Sequence, residues 1–196
     1  MGQWRYSLMT HKLSATLEMA KRVYSLAKRQ NDSALMIGAY SNLAATLYFR
    51  GDFETARQCA TRGLEIWRVG TVQSQEEVYA PSVVCLTCVA LTDWHFGEVG
   101  SCQATMEEAI AVAKELNDMH ALVLALYWAG HLAYFQGNPT EVERLASDLI
   151  ELSTRQNFAT WLPHAGILRG WALSASGDTI QGISWIEEGI GDYLAG

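Results

Sequence analysis

The sequence predicts an all-α protein built as a solenoid of antiparallel helical hairpins, and three observations predict it. Only 3 prolines interrupt 196 residues while Gly and Ala are common, which suits closely packed helices better than a turn-rich β chain. Glycines 51, 97, 137 and 177 recur at intervals of 46, 40 and 40 residues. On both sides of each, apolar or small residues fall at i, i+3, i+4 and i+7, the spacing of two amphipathic helices joined by a short turn.

Taken in order, the elements follow from that pattern. Projecting the period back from Gly51 places a first turn at His11, preceded by a shortened helix starting near Trp4. A helix over Ser14 to Gln30 follows, with Leu17, Ala20, Val23, Tyr24 and Ala27 on one face, and residues 1–33 form a partial repeat. The first full copy, about 34–78, runs through Leu43, Ala44 and Leu47 to Gly51-Asp52-Phe53, then Ala56, Ala60 and Gly63. The second, about 79–118, has Leu86, Val89 and Ala90, then Gly97-Glu98-Val99, Cys102, Met106 and Ala109. The third, about 119–158, has Leu126, Ala129, Gly130 and Ala133, then Gly137-Asn138-Pro139, Val142, Ala146 and Leu149. The fourth, about 159–196, has Gly166, Arg169, Gly170 and Leu173, then Gly177-Asp178-Thr179, Gly182, Ile186 and Gly189.

Each turn glycine is suited to the left-handed conformation that ends a helix. Small side chains at Ala44, Ala90, Gly130 and Gly170 let the two helices of a hairpin approach closely. An insertion between Arg68 and Pro81, carrying Gly70, Thr71, Gln73, Ser74, Gln75 and the pair Glu76-Glu77 before Val78, reads as a polar inter-repeat connector. The expected organisation is a single domain, read as a piece of a longer protein because no polar capping helix covers the last hairpin.

Composition narrows the function. With 21 acidic and 14 basic side chains the net charge is −7, which disfavours nucleic-acid binding, because phosphate neutralisation needs clustered Lys and Arg. Four cysteines are too few for a disulfide framework, no stretch reads as a signal peptide, and a cytoplasmic setting is expected. The longest apolar stretch, Ala121 to Phe135, is broken by Gly130 and His131 and falls short of a membrane span.

This layout resembles the tetratricopeptide repeat, whose consensus places bulky residues at positions four and eleven, a small one at eight and Ala at twenty. Val142 and Gly182 depart from that alanine, and the period exceeds the usual length. Trp4-Arg5-Tyr6, Ser25 to Gln30, Gly63-Leu64-Glu65-Ile66, Val84-Cys85-Leu86 and the run from Gly166 to Leu173 further resemble the repeat region of large bacterial proteins that pair a nucleotide-cyclase-like domain with a signalling ATPase domain. That resemblance implies a right-handed superhelical array acting as a sensor or scaffold arm. It also implies that the first helices line a concave groove, to which Tyr48, Phe49, Trp94, His95, Tyr127, His131, Tyr134, His164 and Trp171 would contribute.

An aromatic, weakly charged groove suits a peptide anchored by apolar or aromatic side chains; the competing reading is that these rings fill the space between hairpins. The Lys and Asn pattern that clamps chaperone tails is missing. Arg169 stands where other copies carry Leu43, Val89 and Ala129, so its guanidinium is expected to be partly buried, paired with Asp148, Glu151 or a helix end, or else holding a ligand carboxylate. Cys85 and Cys88, with Cys102 on the next helix and His95 between, read as small core residues rather than a zinc site. Gly182 to Ile186 fails as a nucleophile elbow, since Ile replaces the final Gly and no strand precedes Ser184. No phosphate loop or dinucleotide fingerprint occurs.

The sequence therefore reads as a non-enzymatic protein-interaction or regulatory module, with no cofactor or metal, binding a peptide or a neighbouring domain. A small-molecule sensor is the alternative, and a hydrolase ranks third. The last hairpin shows Ile183, Trp185, Ile186 and Ile190, from which a homodimer through the C-terminal helix is expected.

Overall fold

The computed structural model describes residues 2–10, 12–70 and 80–195. Among them every regular element is helical: α1 (Gly2–Met9), α2 (Leu13–Gln30), α3 (Ser33–Phe49), α4 (Phe53–Val69), α5 (Pro81–His95), α6 (Val99–Glu115), α7 (Met119–Phe135), α8 (Pro139–Gln156), a single 3₁₀ turn (Ala159–Trp161), α9 (Leu162–Ala175) and α10 (Thr179–Ala195). The expected fold class is the one the chain adopts. The projected turn at His11 and the connector from Thr71 to Val78 lie outside the described residues.

The turns within hairpins form for the reason the sequence suggested. Gly51, Gly97, Gly137 and Gly177 all have φ between 66° and 107°. At each, the glycine N–H donates three residues back and the next N–H donates five residues back, as from Gly51 to the Tyr48 carbonyl (2.9 Å) and from Asp52 to the Leu47 carbonyl (3.0 Å). That pair of hydrogen bonds satisfies orphan carbonyls at the end of the first helix. The following residue then opens the second helix, since the Asp52, Asn138 and Asp178 side chains accept from Thr55, Glu141 and Gln181 N–H groups.

Between repeats the same device recurs with asparagine. Asn31, Asn117 and Asn157 stand at φ 50°, 51° and 56°, and the N–H groups of Asp32 and Asp118 donate back to Ala27 and Ala113. Asn is the non-glycine residue best suited to this conformation. Asp32 and Asp118 then cap the next helix through Leu35 and Ala121 N–H groups.

The chain divides into two compact units, Met1–Ala121 and Leu122–Gly196. In the first, α3 is buried along Ile37 to Leu47, and its core includes Ala20, Leu43, Leu47 and Ala56, against which Trp4, Leu17 and Tyr24 pack. Trp4 Nε1 donates to Thr46 Oγ1 at 3.1 Å, which seats the short α1. An ion-pair network joins its hairpins: Arg57 of α4 lies 3.0 Å from Asp93 of α5 and is bidentate to Glu98 (3.0 and 2.8 Å). Further along, Arg68 reaches Glu108 of α6 at 2.9 Å.

The second unit is closest-packed between α9 and α10. A Cβ on Gly170 would stand 2.6 Å from the Gly182 carbonyl, and one on Gly182 would stand 2.5 Å from the Gly170 carbonyl. The departure of Gly182 from alanine thus has a physical cause, because the two backbones touch there. Trp185 and Ile186, expected on an open apolar face, turn inward instead. Trp185 Cε3 lies 3.6 Å from a Cβ position on Gly166, and Ile186 Cγ1 lies 2.7 Å from one on Gly170.

Candidate functional site

The second unit gathers aromatic side chains from four elements. Along α7, Tyr127, His131 and the pair Tyr134 and Phe135 are spaced i, i+4 and i+7 or i+8, one helical face. His164 and Trp171 of α9 share a face in the same way. Tyr127 is the hub: its ring centroid is 4.3 Å from His131, 5.3 Å from Trp161 and 5.3 Å from His164. His164 continues to Tyr193 of α10 at 5.2 Å, edge to face. Beside them Tyr134 meets Trp171 edge-on at 4.8 Å and Phe135 at 5.6 Å. Such tilted and edge-on pairs place ring edges against ring faces, the favoured sense of the aromatic quadrupole.

Burial grades across this array. Tyr127, His131, His164 and Trp171 are half-buried, while Tyr134, Phe135 and Tyr193 are exposed at 41%, 38% and 52%. Burial pushes the Tyr127 hydroxyl up to about 12, with Tyr193 adding to the shift. Burial also lowers His131, although its Nδ1 lies 3.0 Å from the Tyr127 carbonyl. His164 is lowered by burial and then by His131. Both imidazoles are therefore neutral at pH 7. α7 carries no charged residue and α9 only Arg169, so the two helices that supply most of the rings add no charge beside them.

Arg169 is held elsewhere. Its Nε donates to Glu143 of α8 at 3.0 Å, and its guanidinium lies 4.9 Å over the Trp185 ring. The expected partners Asp148 and Glu151 are corrected to Glu143; Asp148 instead accepts from Arg144 at 2.8 Å, one helical turn away. The structure thus separates Arg169 from the aromatic array.

In the first unit the expected residues assemble at the turn end of the hairpins. Tyr48 packs partly against the core, and its hydroxyl lies 3.4 Å from His95 Nε2. His95 stacks on Phe53 at 4.0 Å with planes 8° apart, and Tyr48 meets Phe49 at 5.7 Å. Trp94 is half-buried. Higher up the same helices, Ser41, Ala45, Thr87 and Leu91 are buried, so the first helices of this unit are core over most of their length. Burial lowers His95 as well.

Several participants escaped the sequence reading. Trp161 and Tyr193 lie outside the first-helix positions, and Phe53 opens a second helix. The only sequence signal for Trp161 is its i, i+3 spacing to His164, while Tyr193 has none. Cys85, Cys88 and Cys102 are buried thiols, with Cys88 pushed up to about 12 by burial. Among the described residues no three His, Cys, Asp or Glu side chains converge as a metal site would require.

Comparison with known proteins places the fold. A tetratricopeptide repeat model matches residues 37–62, the hairpin of α3 and α4, and the model of anaphase-promoting complex subunit 5 matches residues 52–135. No curated protein matches the chain. Among solved structures it is similar to a Rap protein complexed with competence and sporulation factor, at TM-score 0.82 and 15% identity over 98% of this chain and 52% of that one. The chain thus spans about half of that protein's length. It is also similar to BtubC from P. vanneervenii (TM-score 0.71, 15% identity, 98% of this chain and 77% of that one). A third likeness is to TPR-like repeats of a Podosopora anserina putative kinesin light chain (TM-score 0.63, 11% identity, 97% and 92%). Local match and global fold agree: residues 37–62 match a tetratricopeptide repeat model, and the described helices fold as those of the helical-hairpin repeat proteins do.

Proposed function

We propose that this chain is a protein-interaction module that holds a peptide, or a helix of a neighbouring domain, against the aromatic surface of its second unit. The observation that carries the reading is the exposure of Tyr134, Phe135 and Tyr193 at the edge of a packed aromatic array. Rigid rings offer contact area at low entropic cost, and half-buried neighbours hold them in place, which is the makeup of a binding hot spot. Neutral His131 and His164 keep the surface compatible with an apolar anchor. The likeness to a Rap protein solved with competence and sporulation factor supports the class of function through fold.

The first-unit residues Tyr48, Phe49, Trp94 and His95 are assigned a supporting role, since their contacts lie at the hairpin ends. We further read the chain as a non-enzymatic regulatory arm of a bacterial multidomain signalling protein in the cytoplasm. That setting rests on the sequence resemblance and on cysteine usage. No helix of the described residues is long and apolar enough to cross a membrane.

The test is a pull-down from source-organism lysate comparing wild type with Tyr134→Ser/Tyr193→Ser, both checked by circular dichroism. These two rings are exposed, so their loss should leave the fold intact. A protein retained by wild type and lost from the folded variant supports the proposal and identifies the partner. Identical retention by both, or none by either, overturns it and moves the small-molecule sensor ahead.

A further inference from the structure

Tyr134 of α7 and Trp171 of α9 form an aromatic corner. Their ring centroids lie 4.8 Å apart with planes at 79°; Tyr134 is 41% exposed and Trp171 is half-buried. Two rings set edge to face leave two faces meeting almost at a right angle, and each face carries the negative side of its quadrupole. Tyr134 stands on α7, whose next hairpin, α9 and α10, is present, so a hairpin stacked beyond α10 would meet those two helices rather than this ring.

Ring faces elsewhere in the protein are covered by its own cations. Lys12 Nζ lies 5.6 Å over Tyr6, the Arg57 guanidinium 5.5 Å over Phe96 and that of Arg169 4.9 Å over Trp185. The second unit has no such cation to spare for Tyr134 and Trp171. Residues 122–196 hold eight acidic side chains and three basic ones, all Arg, a net charge of −5. Arg144 pairs with Glu141 and Asp148, and Arg169 with Glu143. Arg155 stands in the last turn of α8, about 24 Å along the helix from its start beside the Gly137 turn. Neutral His131 and His164 add no positive charge. An acidic unit whose open ring faces lack a cation of their own is complementary to a cation from outside.

We propose that the peptide held by this surface is basic, and that one of its Arg or Lys side chains lies in the corner of Tyr134 and Trp171. The apolar stem runs along the rings while the cationic head sits over their faces. This rests on the aromatic surface being an interaction surface, and it makes the anchor a cation with an apolar stem rather than a purely apolar group. Arg suits the corner best, because its planar guanidinium stacks on ring faces and sheds water more readily than an ammonium. Because the corner is open to solvent and the unit's charge attracts the ligand from a distance, salt weakens the complex.

The test is titration calorimetry of the full chain, in low and high salt, with synthetic peptides of one length in which glycine alternates with arginine, norleucine or glutamate. The arginine peptide is expected to bind, more tightly in low salt, and the other two to bind more weakly. Two variants at the exposed Tyr134 accompany wild type, and circular dichroism checks that both fold. Tyr134→Phe keeps the ring face and should bind the arginine peptide as wild type does. Tyr134→Leu keeps apolar bulk and charge but loses the face, and should bind it about two- to five-fold more weakly. Equal binding by Tyr134→Leu overturns the proposal, since charge alone then attracts the peptide. A norleucine peptide that binds more tightly than the arginine one also overturns it, while leaving the interaction surface standing. Binding of no peptide overturns it too, and the pull-down with Tyr134→Ser/Tyr193→Ser decides the interaction surface separately. Tetramethylammonium chloride bound as tightly as the arginine peptide, and lost in Tyr134→Leu, overturns the peptide as occupant and favours the small-molecule sensor.

Discussion

Gly170→Ala tests whether the contact of α9 with α10 is as close as the backbone positions imply. The added methyl would stand 2.6 Å from the Gly182 carbonyl oxygen, 2.7 Å from Ile186 Cγ1 and 3.0 Å from the Ile186 nitrogen. Ordinary contact begins near 3.4 Å, so the helices must part by about 0.8 Å at the carbonyl. Two of the three obstacles are backbone and cannot swing aside. Overpacking of this kind costs about 1–3 kcal/mol, against which alanine in a helix recovers about 1 kcal/mol. A net loss of up to about 2 kcal/mol follows, a fall of up to about 8 °C in Tm. The control is Gly191→Ala on the same α10, where a Cβ meets nothing within 4 Å; there the propensity gain stands alone and stability should rise by up to about 1 kcal/mol. Denaturant midpoints give the comparison, and hydrogen exchange of α9 and α10 amides localises the loss, since repeat arrays can open piecewise. If Gly170→Ala stabilises the protein as much as Gly191→Ala does, the close-approach account of the small residue at this position is wrong.

Two further outcomes follow from the ion pairs and the histidines. Arg57→Met strips the cation from Asp93, whose side chain is only 1% exposed, and should cost about 2–3 kcal/mol in urea unfolding. Arg144→Met, which breaks exposed pairs to Glu141 and Asp148, should cost less than about 1 kcal/mol; equal costs would contradict the burial argument. Burial lowers His131 and His164 below the ordinary histidine value, so below about pH 6.5 the unfolded chain takes up protons that the folded one refuses. Stability is thus present in full above that pH and declines as pH falls toward the lowered folded values, with His131 contributing at most about 1.4 kcal/mol per pH unit. Titrating the urea midpoint from neutral to acid should show this decline, with a shallower slope in His131→Phe; a flat profile would contradict it.

What could be read in the sequence was whatever depends on local geometry. Period, helix faces and the left-handed glycines at 51, 97, 137 and 177 are fixed within a few residues along the chain, and so they survive translation into structure. Asn31, Asn117 and Asn157 take the same conformation without a glycine to announce it, and only the backbone reveals them. The candidate site was legible in part: α7 and α9 set Tyr127 against His131 and His164, and Tyr134 against Trp171. Tertiary packing decided the rest. Whether a ring is buried or exposed depends on the partner helix, which is why Tyr48 settles against the core while Tyr134 faces solvent. Whether Arg169 pairs with Glu143 or Asp148 depends on which helix faces it across the hairpin interface. Periodicity along one chain specifies faces, but the partners of those faces are set by contacts between residues far apart in sequence, and these exist only once the hairpins stack.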